Sequence, residues 1–125
     1  MSHAIILGIT ADIGRGLAKQ LICDGWTVTG LGRDLERGGD LGVACIDINM
    51  EDSTSVASVF DQISQWDLFI SAIGTMTPIG PFFDLDFDDW ERSITVNLTA
   101  QLRVLHAIWP KRALRPNIMF FAGGG

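Results

Sequence analysis

Glycine spacing near the start of the chain marks a place where backbone could close on an anionic group. Gly8, Gly14 and Gly16 punctuate the stretch Gly8-Ile9-Thr10-Ala11-Asp12-Ile13-Gly14-Arg15-Gly16, which follows an apolar run and opens a helical pattern. A turn of this kind lets the backbone approach a pyrophosphate, and the helix behind it offers free N–H groups and a partial positive charge. The spacing alone also suits a turn that only permits tight packing; its place inside a βαβ unit is what favours phosphate. Asn97 is the second candidate. It lies inside a long helical pattern, where asparagine has poor propensity, so it is either a helix-surface residue or one kept for chemistry. The five carboxylates between Asp84 and Glu91 read as a solvated helix start. His3 and His106 are far apart in sequence, and Cys23 and Cys45 lack metal-ligand spacing, so no metal site is expected. Each cysteine sits in an apolar stretch and reads as a buried free thiol. The 125 residues contain no tyrosine.

Apolar runs of strand length alternate with helical patterns along the chain. Strands are expected at Ala4 to Ile9, Trp26 to Leu31, Val43 to Ile48, Asp67 to Ile73 and Asn117 to Phe121. Helices are expected at Gly14 to Cys23, with Leu17, Ala18, Leu21 and Ile22 on one face, and at Ser53 to Ile63, with Val56, Val59, Phe60 and Ile63 inward. A long helix from Phe87 to Trp109 has Asp86 as N-cap, Asp88 and Asp89 in its first turn, and Lys111, Arg112 and Arg115 near its negative end. The link from Gly32 to Gly42 is short and carries four glycines, room for at most one helical turn. The order β-α-β-β-α-β-α-β implies a parallel sheet with right-handed crossovers. Those crossovers put the second and third helices on one face and the first helix alone on the other.

Composition narrows the class. Hydrophobic residues make up 47% and charged residues 19%, which excludes a disordered chain. A net charge of -6 repels nucleic-acid backbones and anionic lipid surfaces. The N-terminus has no basic segment before an apolar one, and no stretch reaches the ~18 apolar residues of a membrane span. A cytoplasmic chain forming one domain over residues 1–125, with no nucleic-acid or membrane partner, is the expectation.

At these residues the chain resembles the N-terminal half of a short-chain dehydrogenase/reductase. Gly8, Asp12 and Gly14 fall on that family's Gly-x-x-x-Gly-x-Gly phosphate loop, with Asp12 in place of the middle glycine and Arg15 following. The resemblance implies a Rossmann-like doubly wound α/β fold with strand order 3-2-1-4-5. It also implies cofactor contacts from Gly8, Thr10, Asp12, Ile13 and Gly14. After the second strand, Gly32 occupies the acidic position that accepts the ribose hydroxyl in NAD-binding relatives, and Arg33 comes next. That implies NADP(H), unless Arg33 is a solvated residue pairing with Asp34 or Glu36. Asp47-Ile48 matches an adenine-binding pair, although Asp47 in a strand-capping role fits too. Ser71-Ala72-Ile73-Gly74 replaces the family's Asn-Asn-Ala-Gly, keeping Gly74 and, at Ala72, the approach to the cofactor ribose. Val96-Asn97-Leu98 matches the helix whose Asn belongs to a catalytic tetrad, holding a water in a proton relay.

The rest of that tetrad is missing. Ala122-Gly123 stands where the family has its Ser, and without any tyrosine no residue can be the Tyr-x-x-x-Lys proton donor. The chain therefore reads as truncated after its fifth strand, which is left as an open edge. Self-association as a homo-oligomer or a complementary C-terminal half is expected to cover the exposed sheet. Two readings stay open: the cofactor-binding part of an NADP(H)-dependent oxidoreductase acting on an unknown small molecule, or a nucleotide-binding module without turnover. A sugar-nucleotide epimerase relative is a weaker third.

Overall fold

The computed structural model describes residues 2–33 and 41–121. Its elements are β1 (His3–Leu7), α1 (Asp12–Cys23), β2 (Thr27–Gly32), β3 (Ala44–Asp47), α2 (Ser53–Gln62), β4 (Trp66–Ser71), α3 (Phe87–Ile94), α4 (Ala100–Ile108) and β5 (Arg112–Phe120). A π-helical turn, Thr95–Thr99, joins α3 to α4 without leaving helical backbone angles. The strands form one parallel sheet in the order β3-β2-β1-β4-β5, the doubly wound Rossmann-like arrangement expected from the sequence. Most of the link between β2 and β3, Asp34 and Glu36 included, lies outside the described residues, as do Ala122 and the closing glycines.

β1 is the central strand and is buried along its whole length. Its alternate side chains feed two cores, as the two-residue strand period requires. Ile5 and Leu7 pack with Val56 and Val59 of α2 and with Val104 and Ile108 of α4. Ala4 and Ile6 pack with Ala18 of α1 on the opposite face. The expected division of helices between the faces is therefore present. Trp66 at the start of β4 is fully buried, and its Nε1 donates to the Ile108 carbonyl at 2.9 Å, satisfying a terminal carbonyl of α4. At the amino end of the sheet the His3 ring spans from the Gln65 carbonyl (Nδ1, 2.7 Å) to the Thr29 hydroxyl (Nε2, 2.8 Å). A carbonyl only accepts, so Nδ1 carries a proton and donates to Gln65.

Four local expectations need correction. The fifth strand is longer than expected: Arg112 pairs with Trp66, the register then shifts, and Asn117 to Phe120 run regularly beside Leu68 to Ser71. Cys23 is exposed, because it falls on the outer side of α1, across from the face defined by Ala18 and Leu21. Ile22, expected on the inner face, lies at its flank and is 38% exposed. Cys45 is half-buried, with its Sγ on the Val43 carbonyl at 3.6 Å, and burial raises its pKa so that it remains a thiol. Finally, Lys111 caps another helix. Its Nζ donates to Phe60 O (2.5 Å) and Ile63 O (2.8 Å) at the carboxyl end of α2 and lies 4.3 Å from the centre of the Phe60 ring. Asp86 does cap α3 as expected, accepting from the Asp88 and Asp89 amides.

Replacing Lys111 by Met keeps the stem and removes the cap. Urea denaturation of Lys111→Met should show a loss of roughly 1–2 kcal/mol. An unchanged midpoint would mean that packing alone holds the end of α2.

Candidate functional site

The site begins at the turn after β1. Gly8 has φ +92°, a conformation that side chains disfavour. A Cβ on it would also lie 2.6 Å from Ile73 Cγ2. Its N–H donates to Leu31 O at 2.8 Å, and its carbonyl accepts from Ala11 N at 3.0 Å, which closes the turn. α1 starts hard against that carbonyl: a Cβ on Gly14 would sit 2.2 Å from Gly8 O. Gly16 is exposed, with nothing within 4 Å of its missing Cβ. The N-cap residue Ala11 has no side-chain acceptor, so the first amides of α1 are not capped from within.

This turn forms one wall of a cleft of about 440 Å³ at the carboxyl ends of β1, β2 and β4. Of the residues singled out in the sequence, Gly8, Thr10, Arg33, Ile48, Ala72 and Gly74 line it. Ile48 is 1% exposed and faces the α2 core as well, so it serves as floor. Arg33 is exposed on the rim, where its Nη2 donates to Asn49 Oδ1 at 3.0 Å. Asp47 is exposed at the end of β3, in register with Gly32, and does not line the cleft; nor do Asp12 and Gly14. A second hollow of about 410 Å³ shares Ala72 and Gly74 and is completed by Ile13, Met76, Asn97 and Phe121. Of the candidates, all but Asp12, Gly14 and Asp47 thus line one of two adjoining spaces that meet at the loop after β4.

Asn97 lies on the π-helical turn. Its carboxamide is taken up in both directions by one residue of that loop: Thr75 N donates to Oδ1 at 2.7 Å, and Nδ2 donates to Thr75 O at 3.0 Å. One turn on, the buried Gln101 accepts from the Ser71 hydroxyl at 2.5 Å and donates to Ile73 O (3.2 Å) and Val96 O (2.9 Å). Gln101 and Ser71 were not singled out from the sequence. Two amides at i and i+4 on one helix were the available signal. Among the described residues no buried side-chain polar atom lacks a partner, and no His/Cys/Asp/Glu group could hold a metal. No helix of the described residues is long and apolar enough to cross a membrane.

Comparison with known proteins agrees with this geometry. The sequence model described as short chain dehydrogenase matches residues 2–116. The chain belongs to the short-chain dehydrogenase family. It is 28% identical over 116 residues to serine 3-dehydrogenase of Agrobacterium fabrum, a match covering 85% of this chain and 47% of that protein. The chain spans about half the length of the curated relatives it matches. Among solved structures, serine dehydrogenase from Escherichia coli is similar at TM-score 0.82 and 17% identity, covering 94% of this chain and 60% of that one. BdcA, solved in complex with NADPH, is similar at TM-score 0.84 and 18% identity, covering 95% and 50% respectively. These structural likenesses carry the fold. The short-chain dehydrogenases are oxidoreductases that bind nicotinamide cofactors, and the cleft lies where a doubly wound sheet binds ligands, outside the carboxyl ends of its strands.

The two glycines of the turn differ sharply from Gly16, and substitution should separate them. Gly14→Ala is expected to lose roughly 1–3 kcal/mol in thermal or urea unfolding, because Gly8 and its carbonyl must move. Gly16→Ala should be neutral or gain up to about 1 kcal/mol. Equal stability of the two variants would show that α1 does not rest on the Gly8 carbonyl.

Proposed function

We propose that this chain is the cofactor-binding portion of an NADP(H)-dependent oxidoreductase that moves hydride between the nicotinamide and a carbonyl or alcohol carbon. The observation that carries this reading is the cleft itself, with the close Gly8–Gly14 contact on one wall and Arg33 on the rim. Its residues fit a dinucleotide. Side chains at Gly8 and Gly14 would collide with Ile73 and with the Gly8 carbonyl and so push the turn out of shape, and the uncapped amides of α1, from Asp12 through Ile13, are donors for a pyrophosphate. Thr10 stands beside them on the cleft wall. Asp47 and Ile48 are assigned to the adenine, and Ala72 and Gly74 to the ribose on the nicotinamide side. Arg33 is assigned to the 2′-phosphate, for which a guanidinium is the matching donor and a carboxylate would be repulsive.

The bound cofactor supplies the hydride chemistry; the protein orients it. Asn97 is assigned to the proton relay of a complete enzyme, where it would hold a water; in this chain its carboxamide holds both backbone groups of Thr75. With no tyrosine in the 125 residues, the chain by itself binds without turnover, so the reading as a non-catalytic nucleotide-binding module describes the isolated chain. We assign it to the cytoplasm, without nucleic-acid or membrane partners. Self-association is supported by Ile94 (43% exposed), Leu98 (55%) and Leu102 (47%), one turn apart on the helical rod.

Calorimetric titration with NADPH and NADH tests the cofactor. NADPH should bind tighter, and Arg33→Asp should weaken NADPH by about tenfold or more while changing NADH little. The same preparation should oxidise no NADPH with a panel of carbonyl compounds. Equal affinities would refute the NADP(H) assignment, and turnover would refute the binding-only reading of the isolated chain.

A further inference from the structure

Arg33 is exposed, and an exposed arginine loses rotamer freedom when it grips a phosphate. Here that freedom is already restricted, because its Nη2 donates to Asn49 Oδ1 at 3.0 Å. Asn49 is itself held from two sides. Its Oδ1 also accepts the Glu51 amide at 3.1 Å, and its own N–H donates to Ser55 Oγ in the first turn of α2 at 2.9 Å. The loops that carry the pair are tied together by Ile48 N donating to Gly32 O at 3.1 Å. The holder is neutral: a carboxamide orients the guanidinium through one N–H and leaves its charge and remaining donors for an incoming anion. The carboxylate that lines the same cleft, Glu51, is engaged elsewhere, with Oε1 3.2 Å from Arg92 Nε.

We propose that Asn49 is a positioning residue for cofactor choice, presetting Arg33 for the 2′-phosphate without neutralising it. This rests on the NADP(H) reading above. It adds that the discrimination resides in a pair of residues from two loops, and that asparagine rather than aspartate is required at position 49.

The test uses the full chain and two probes that differ only in the group at issue, adenosine 2′,5′-bisphosphate and adenosine 5′-monophosphate. The ratio of their dissociation constants isolates the 2′-phosphate from general damage to the cleft. The wild type should prefer the bisphosphate, and Arg33→Ala should cut that preference by about tenfold or more. Asn49→Ala should cut it by roughly threefold to tenfold, and should have no further effect in an Arg33→Ala background. Asn49→Asp keeps the acceptor for the Glu51 amide, so it preserves the turn. It should still lower the preference by engaging the Arg33 charge, and the loss should shrink as salt is raised. A preference lost in Arg33→Ala but intact in both Asn49 variants would overturn the proposal and leave the cofactor reading standing. An Asn49 effect that persists without Arg33 would overturn it as well. No wild-type preference at all would remove the cofactor reading, and this proposal with it.

Discussion

The contact between Gly14 and the Gly8 carbonyl determines how the upper end of the sheet is built. A side chain at position 14 would meet that carbonyl at 2.2 Å, so α1 can begin this close to β1 only without one. The close start lets Ala18 pack on Ala4 and Ile6 and leaves the amides of the first turn without a side-chain cap. The positive φ of Gly8 then turns the chain away beneath Ile73, which brings the loop after β4 to the edge of the same cleft. Two missing methyl groups thus decide both the packing of one face and the shape of the turn to which the pyrophosphate is assigned.

The other side of the cleft is organised by amides rather than by glycines. Asn97 and Gln101 project from one rod toward the end of β4 and bind backbone groups at Thr75, Ile73 and Val96. The π-helical turn at Thr95–Thr99 carries Asn97, and π turns recur where a helix serves a site. The buried members, Gln101 and Ser71, are stabilising only when paired, and both are. The amide pair locks the loop that the cleft shares with the neighbouring hollow, so geometry there is set from below by β4 and from the side by the helix.

Much of this was legible in the sequence. Apolar runs gave the strands, helical periodicity gave the helices, the handedness of crossovers gave the sides of the sheet, and the family resemblance implied the strand order. The glycine loop and Asn97 stood out because their residue types are unusual for their positions, and Arg33 because of where the family resemblance places it. What was not legible depends on neighbours distant in sequence. Gly14 and Gly16 look alike in the chain and differ only because Gly8 O faces one of them. Lys111 looks like a cap for its own helix, yet the folded chain brings it to Phe60 and Ile63 of α2. Cys23 sits in an apolar run but on the side of α1 turned away from the packed face of Ala18 and Leu21. Asn49 has no unusual spacing at all, and its interest arises only when the loops after β2 and β3 are side by side.

Residue-resolved hydrogen exchange with and without NADPH examines the cradle most directly. Slowed exchange is expected at the amides of Asp12, Ile13 and Gly14, the donors that α1 leaves uncapped, and along the loop at Gly74 and Thr75. Saturable binding with those amides unaffected, or protection confined to residues elsewhere, would show that the cofactor does not sit on the Gly8–Gly14 turn.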